Sequence, residues 1–197
     1  SRGLGDVYKR QMIYYSLLNP AEDQYDRVFY SYADATFTRL TKPRLLVDWG
    51  YATIDADINY VPADGLYHML IKKEGGTPGI FAATATKLTG PYKIKDENDY
   101  VKFEGNKKCE GCSAFQLVGD STWRVAYIEY SSKPKRYRIC QADEKLANFH
   151  SPVTMEGVKH PQHGSFMRLT EEEYKRLQEW SDSIMRERAA RNSGEKK

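Results

Sequence analysis

The sequence predicts an all-β fold, a β-propeller fragment of about three to four blades, with an α-helix at its C-terminal end. Three observations lead to this prediction. Short apolar stretches recur with a period near fifty residues, which is the spacing expected of four-stranded propeller blades. Tyrosine outnumbers phenylalanine by 15 to 7, and a ring with a polar tip suits half-buried strands. The last part of the chain changes to helical periodicity.

The first eleven residues show neither strand nor helix periodicity, and they resemble a translated adapter or vector sequence. We therefore exclude residues 1–11 from the fold and assign residues 12–170 to the partial propeller. The apolar run at 12–18 has the character of a strand interior. We accordingly expect the chain to begin inside a domain.

Two series of strands repeat along the propeller region. The first series comprises residues 66–71 and 123–128, and each of these strands follows a turn signal that pairs Asp with Gly. The second series comprises residues 27–32, 79–84 and 136–141, at offsets of about 52 and 57 residues. Because each blade buries its faces only against its neighbours, radial repetition of such units completes a hydrophobic core.

A helix is predicted at about 171–190, with a charged and disordered tail up to residue 197. Its N-terminus is marked by a capping box, in which the Thr170 hydroxyl accepts the amide of Glu173 and the Glu173 carboxylate reaches back. Tyr174, Leu177 and Trp180 begin an apolar stripe at helical spacing. We expect this stripe to pack against the domain, and binding of a partner is the alternative.

Charge and hydropathy exclude several classes of function. The formal net charge is +3, with much of the excess in the C-terminal tail, so the body lacks a basic stripe for nucleic acid. The sequence has no apolar run of membrane-spanning length. We expect a monomer that binds no nucleic acid, has no membrane span and requires no cofactor.

Three cysteines are too few for a disulfide framework. Cys109 and Cys112 form a CxxC pair, but no second ligand pair stands at a spacing suited to structural zinc. A redox role would need a βαβ context. Two strand-borne thiols are the simplest interpretation, and the zinc and redox roles are the alternatives.

Two acidic residues lie in passages where a charge is unexpected. Asp55 stands among apolar residues just before a predicted strand, where it either caps a turn or faces a polar cavity. Glu110 is flanked by small and apolar residues, and partial desolvation would favour its protonated form, as a general acid requires.

The order of three motifs resembles glycoside hydrolase family 43, the arabinosidases and xylosidases built on a five-bladed propeller. The motifs are Ile54-Asp55 before Asp64-Gly65, then Glu110-Gly-Cys-Ser-Ala-Phe115, then Gln162-His163-Gly164-Ser165-Phe166 ahead of Thr170-Glu-Glu-Glu173. Cysteine occupies the position where the family usually has proline in the second motif. The likeness extends over about residues 12–180.

The resemblance implies inverting hydrolysis by a general acid and a general base on opposite sides of the sugar. By this likeness Glu110 is the general acid. Asp55 corresponds to the family's third carboxylate, a pKa modulator that also orients the acid. The family's base is an aspartate of the first blade, upstream of the residues present here, so we expect the fragment to be inactive because it is truncated.

Other site residues follow from the same likeness. His163 is offered as a ligand that holds calcium through water in the central channel, and a hydrogen-bonded structural histidine is the alternative. Trp49 is the first choice for a sugar-stacking platform, with Tyr51 and Tyr130 behind it. Trp123 begins a repeated strand and is predicted to be a core residue.

The expected parent is a secreted or periplasmic α-L-arabinofuranosidase or β-xylosidase that degrades plant cell-wall arabinan, arabinoxylan or xylan. The secretion is inferred from the substrate, because polymeric substrates meet their enzymes outside the cell. The alternative is a propeller that has lost chemistry and serves as a carbohydrate-binding or scaffold module. An unrelated all-β interaction domain is the third hypothesis.

Overall fold

The computed structural model describes residues 11–18, 24–75, 79–94 and 108–194. The chain divides into two compact units, Ser1–Ser165 and Phe166–Lys197. All but one of the residues that the sequence analysis excluded, and the last three of the predicted tail, lie outside the described residues.

The first unit consists of three antiparallel sheets in the described part of the chain. Within each sheet the strands are neighbours in chain order, so each sheet is a meander. The first sheet contains β1 Gln11–Leu17, β2 Arg27–Ala33 and β3 Arg44–Val47. The second contains β4 Thr53–Val61, β5 Leu66–Lys73, β6 Gly79–Ala85 and β7 Lys93–Ile94. The third contains β8 Cys109–Phe115, β9 Trp123–Glu129, β10 Arg136–Ala142 and β11 His150–Thr154.

The repeat predicted from the sequence matches equivalent strands of successive sheets. The first predicted series corresponds to β5 and β9, and the second to β2, β6 and β10. β1 and β2 lie against β4 in the same way as β5 and β6 lie against β8. The three strands of the first sheet, β1 to β3, therefore correspond to β5 to β7 of the second sheet. In the described residues the first sheet has no strand equivalent to β4 or β8, so β1 is its edge strand at that position.

Two apolar clusters join the three sheets. One lies between the second and third sheets and includes Leu70 and Tyr127. The other lies between the first and second sheets and includes Val28, Met69 and Ile71. Successive residues of β5 point to opposite faces, so the second sheet is buried on both sides. Burial of each such side chain stabilises the fold by about 1.5–3 kcal/mol, which explains why three successive residues of β5, Met69 to Ile71, are apolar rather than alternating with polar ones.

The second unit contains α1, Glu171–Gly194. The predicted capping box is present. The amide of Glu173 donates to Oγ1 of Thr170 at 3.2 Å, and the amide of Thr170 donates to the Glu173 carboxylate at 2.8 Å. These two bonds satisfy amides that the first helical turn leaves without intrahelical partners, so the helix begins at the predicted residue. No helix in the described part of the chain is long and apolar enough to cross a membrane.

Candidate active site

The carboxylate of Asp55 is placed by an irregularity in β4. In the pairing of β4 with β5, Ile54 faces Lys72 and Asp57 faces Leu70, so β4 has one extra residue at this point. Asp55 itself has a left-handed backbone with φ of 55°. Aspartate tolerates this conformation better than most residues, and a bulge of this kind turns a side chain away from its regular direction.

Glu110 lies at the matching irregularity in β8. There Glu110 faces Ile128 and Ser113 faces Ala126, again with one extra residue in the first strand of the sheet. Gly111 takes the left-handed conformation, with φ of 61°. The two acidic residues therefore occupy corresponding bulges of successive sheets, and this repetition brings both carboxylates towards the same place.

His163 lies between the two carboxylates. Its Nδ1 is 3.6 Å from Oδ1 of Asp55, and its Nε2 is 3.8 Å from Oε1 of Glu110. One ligand atom from each of the three side chains lies within 4.8 Å of the others. Both carboxylates are largely covered, whereas 45% of the His163 side chain is exposed, so the cluster opens to solvent on the histidine side.

Two glycines allow the histidine to sit there. A Cβ on Gly111 would lie 2.4 Å from the His163 ring, and a Cβ on Gly164 would lie 2.6 Å from the Tyr137 hydroxyl. Real Cβ atoms do not approach other atoms so closely. The segment that carries His163 is therefore packed directly onto the backbone of β8 and the buried ring of Tyr137 on β10.

The surroundings of Asp55 act on its pKa in both directions. Burial raises the pKa of Asp55 above its usual value, and the nearby Glu110 raises it further, while His163 and Lys72 act in the opposite direction. Its Oδ2 is buried without a hydrogen-bond partner. Repulsion from the Glu110 carboxylate is therefore one of the causes that raise the pKa of Asp55.

A family model described as a probable glycosyl hydrolase domain, related to glycoside hydrolase family 43, matches residues 7–175 of the sequence. The chain belongs to this family. No curated protein matches the sequence.

Solved structures of glycoside hydrolases share the fold of this family member. A thermostable family-43 glycoside hydrolase matches with a TM-score of 0.52 and 16% identity, over 76% of this chain and 51% of its own. An endo-arabinase from Bacteroides thetaiotaomicron matches at 0.50 and 11%, over 73% and 50%. An α-L-arabinofuranosidase from Clostridium thermocellum matches at 0.53 and 14%, over 74% and 52%. The chain spans about half the length of these structures, and identities this low establish the propeller fold alone.

The aromatic residues predicted to bind sugar in this glycosyl hydrolase domain lie in two places. Trp49 and Tyr51 follow β3, with ring centroids 6.3 Å apart, and Nζ of Lys73 lies 4.2 Å from the Tyr51 ring centre. Tyr130 follows β9, and Nζ of Lys72 lies 5.9 Å from its ring centre. Burial raises the pKa of Tyr130, and the Glu110 carboxylate raises it further. The sugar-binding role of all three aromatics stays a prediction. Trp123 is a core residue, as predicted.

Lys72 is a site neighbour that the sequence analysis missed. Its side chain is 1% exposed, and its Nζ donates to the Lys73 carbonyl at 3.0 Å and to Oε1 of Glu74 at 2.9 Å. A fully buried lysine needs such partners, because an isolated ammonium is costly to desolvate. The signal was a lysine that directly continues the apolar run Met69–Ile71 of β5.

Asp57 is a second missed residue. It lies two residues after Asp55 on β4. Its Oδ2 accepts hydrogen bonds from the Ala114 amide at 2.8 Å and from Nδ2 of Asn59 at 2.7 Å. Burial raises its pKa to about 6, and these two hydrogen bonds oppose the change. Asp57 therefore ties β4 to β8 beside the two bulges.

A small cavity of about 250 Å³ adjoins Asp55. It is lined by Ala56 of β4 and by Tyr14, Tyr15 and Ser16 of β1. The Tyr14 hydroxyl accepts the Ile58 amide at 3.3 Å, and burial raises the pKa of Tyr14 to about 12. Hydroxyl groups on one wall and a carboxylate on the other make this a polar recess next to the acidic pair.

The predicted calcium role of His163 has to be compared with the donors in the cluster. Calcium takes six to eight oxygen ligands in most protein sites. The cluster offers two carboxylates and one imidazole nitrogen, and the imidazole contacts both carboxylate groups rather than standing apart from them. Direct coordination by this donor set does not fit calcium, and the role expected of His163, in which the ion is held through water, stays a prediction. The three cysteines lie buried on the strands β8 and β10, and the zinc and redox alternatives for the CxxC pair stay predictions.

Proposed function

We propose that this domain carries the acid side of an inverting glycosidase site, in which Glu110 protonates the departing sugar oxygen. Asp55 orients Glu110 and, when ionised, favours its protonated form. The observation that carries the proposal is the convergence of the two carboxylates from corresponding bulges of successive sheets, within reach of one histidine.

The chemistry divides between two sides of the sugar. On this side a carboxylic acid gives its proton to the glycosidic oxygen as the bond breaks. On the other side a carboxylate activates water, about 6.5–9.5 Å from the acid. The family resemblance assigns that base to a first-blade aspartate. We therefore expect hydrolysis only when the propeller is completed around this chain, and none from the 197 residues alone.

The proposed substrates are plant cell-wall arabinan, arabinoxylan or xylan. Two of the matched structures are an endo-arabinase and an α-L-arabinofuranosidase, which favours pentose-containing polymers. Tyr130, beside Glu110, would stack on the sugar nearest the acid, with Trp49 and Tyr51 contacting units further along the chain. Secretion or periplasmic export is part of the same proposal, because these polymers lie outside the cell.

The test measures the hydrolysis of aryl glycosides by a protein in which further blades complete the propeller around this chain. EDTA is present throughout. A general acid matters most when the leaving group is a poor one. Glu110→Gln should lower kcat/KM at least about 100-fold for a 4-methoxyphenyl pentoside, and much less for a 2,4-dinitrophenyl pentoside. Glu74→Gln, a neighbouring carboxylate that pairs with Lys72, is the matched control and should affect both substrates equally.

Equal losses on both substrates for Glu110→Gln would remove Glu110 from the acid role. Saturable binding of xylo- or arabino-oligosaccharides without any hydrolysis by the completed protein would instead support the carbohydrate-binding module.

A further inference from the structure

We propose that a cavity beside the third sheet binds a hexuronate unit, which is a sugar ring that carries a carboxylate group. The choice of a sugar rests on the proposed function, because it assumes that the polymer held at Glu110 is a cell-wall polysaccharide. The affinity of the cavity for a carboxylate does not depend on hydrolysis.

The first argument is the size and construction of the cavity. Its volume is about 630 Å³, and it is lined by Pro134 and Lys135, directly before β10, and by residues 158–162, after β11. Cavities of roughly 300–1,000 Å³ are typical of small-molecule sites. Each of the two lining segments contains a proline, whose ring restricts the backbone, so the cavity is largely formed before a ligand binds.

The second argument is the charge of the lining. Its charged side chains are Lys135 and Lys159, and His160 adds an imidazole with at least one N–H donor in either protonation state. Within the part of the chain that the structure describes, neither lysine takes part in an ion pair. Both ammonium groups are therefore available to an anionic ligand, and a carboxylate complements them.

The third argument is the apolar part of the lining. Pro134, Val158 and Pro161 supply apolar surface, and Gln162 supplies an amide. Val158 is 42% exposed, so it offers this surface to a ligand. An inorganic anion gains nothing from apolar contacts, whereas the C–H groups of a sugar ring pack on them and its hydroxyls can bond to the amide. A sugar with one carboxylate therefore matches the whole lining.

The fourth argument is the backbone of the lining segment. His160 has φ of 50°, a left-handed conformation that is uncommon outside glycine. Such strain persists only where the surrounding structure fixes it, and it is frequent at ligand sites. The segment is anchored to β10 by the Met155 amide, which donates to the Tyr137 carbonyl at 2.8 Å. His160 is thus held in the lining together with the two lysines.

The fifth argument is the connection to the carboxylate cluster. Gln162 lines the cavity, and the next residue, His163, lies between Asp55 and Glu110. In the third sheet β10 is two strands away from β8, which is about 10 Å at the usual strand spacing. A polysaccharide held at Glu110 is therefore long enough to place a hexuronate unit in the cavity.

The experiment is an NMR titration of the isotope-labelled 197-residue chain with single sugars, which are too short to reach both places at once. The probes are methyl β-D-glucuronopyranoside, its methyl ester and methyl β-D-xylopyranoside. The glucuronoside should shift the amide signals of Lys135 and of residues 158–160. It should bind at least about tenfold more tightly than the ester or the xyloside, because both lack the charge.

Two lysine variants test the assigned side chains. Lys135→Gln and Lys159→Gln should each weaken glucuronoside binding by about threefold, and the double variant by about tenfold. Lys145→Gln is the matched control, because Lys145 is an exposed lysine after β10 that does not line the cavity. It should leave the Kd within about twofold of the unmodified chain. Far-UV circular dichroism checks that each variant is folded.

The proposal is overturned if the glucuronoside and its ester bind equally, or if acetate binds as tightly as the glucuronoside. It is also overturned if the shifted amides lie away from the cavity, or if the double lysine variant binds like the unmodified chain. Failure of the leaving-group test would not change these results, because that test measures the hydrolysis of neutral aryl pentosides at Glu110.

Discussion

At the scale of single residues, the cluster depends on backbone conformations as much as on side chains. Asp55 and Gly111 are both left-handed, one at each bulge. In the bulge of β4 the left-handed residue is Asp55 itself. In the bulge of β8 it is Gly111, the residue that follows Glu110. Gly111 has a second function, because its missing Cβ is the space in which the His163 ring lies.

Gly111→Ala should therefore lower the free energy of unfolding by more than the left-handed conformation of Gly111 alone predicts. Gly119 is the matched control, since it is also left-handed, with φ of 83°, but has open space where a Cβ would be. Gly119→Ala should cost about 1 kcal/mol from the left-handed conformation. Gly111→Ala should cost at least about 2 kcal/mol, because the His163 ring must also move.

Urea unfolding of both variants measures this difference, and the ring signals of His163 in NMR spectra report its displacement. Equal losses of stability, with the His163 signals unchanged, would show that Gly111 matters only for its φ angle.

At the scale of elements, the strands could be predicted and their bulges could not. The period of the apolar stretches located β2, β5, β6, β9 and β10 because burial in a repeated sheet leaves a repeated pattern. A bulge shifts the register by one residue, and this depends on the partner strand rather than on local sequence. The placement of Asp55 beside Glu110 could thus be expected only from the family resemblance. Asp57 was missed because its partner, the Ala114 amide, lies 57 residues away on β8, and only the fold brings the two together. Lys72 has its partners at the neighbouring Lys73 and Glu74, but its burial follows from the packing of the sheets and not from local sequence.

Burial of Asp57 between β4 and β8 should make stability depend on pH. The pKa of Asp57 is raised from 3.8 to about 6 in the folded chain, so the folded state binds this proton more tightly than the unfolded state. Its stabilising contribution is complete below about pH 4 and is lost as the pH rises through about 6, by about 3 kcal/mol in total. Asp57→Asn, which keeps an acceptor oxygen but does not titrate, should gain stability relative to the unmodified chain over the same interval.

Chemical unfolding between pH 4 and pH 7.5, in EDTA, measures this difference. Asp120 is a control with the opposite pH dependence, because hydrogen bonds from Thr122 lower its pKa. Its contribution to stability is present above the unfolded pKa and is lost as the pH falls. A stability difference between Asp57→Asn and the unmodified chain that does not change with pH would contradict the assignment.

At the scale of the whole first unit, the second sheet holds the structure together because both of its faces are buried. Met69 faces the cluster shared with the first sheet, and Leu70 faces the cluster shared with the third. Both side chains are almost completely buried. The two clusters therefore have β5 in common, and the first and third sheets are coupled through it.

This coupling predicts that Met69→Ala and Leu70→Ala each destabilise the entire unit rather than one neighbouring sheet. Each removes a fully buried side chain, and each should cost about 2–5 kcal/mol, a large part of the total stability of an ordinary domain. Val118→Ala, at an exposed turn position, should change stability by less than about 0.5 kcal/mol. Hydrogen exchange measured by mass spectrometry checks this, because amides of β2 and β10 should lose protection together in both variants. Loss of protection in β2 alone for Met69→Ala, or in β10 alone for Leu70→Ala, would mean that the sheets unfold independently and that β5 does not join them into one cooperative structure.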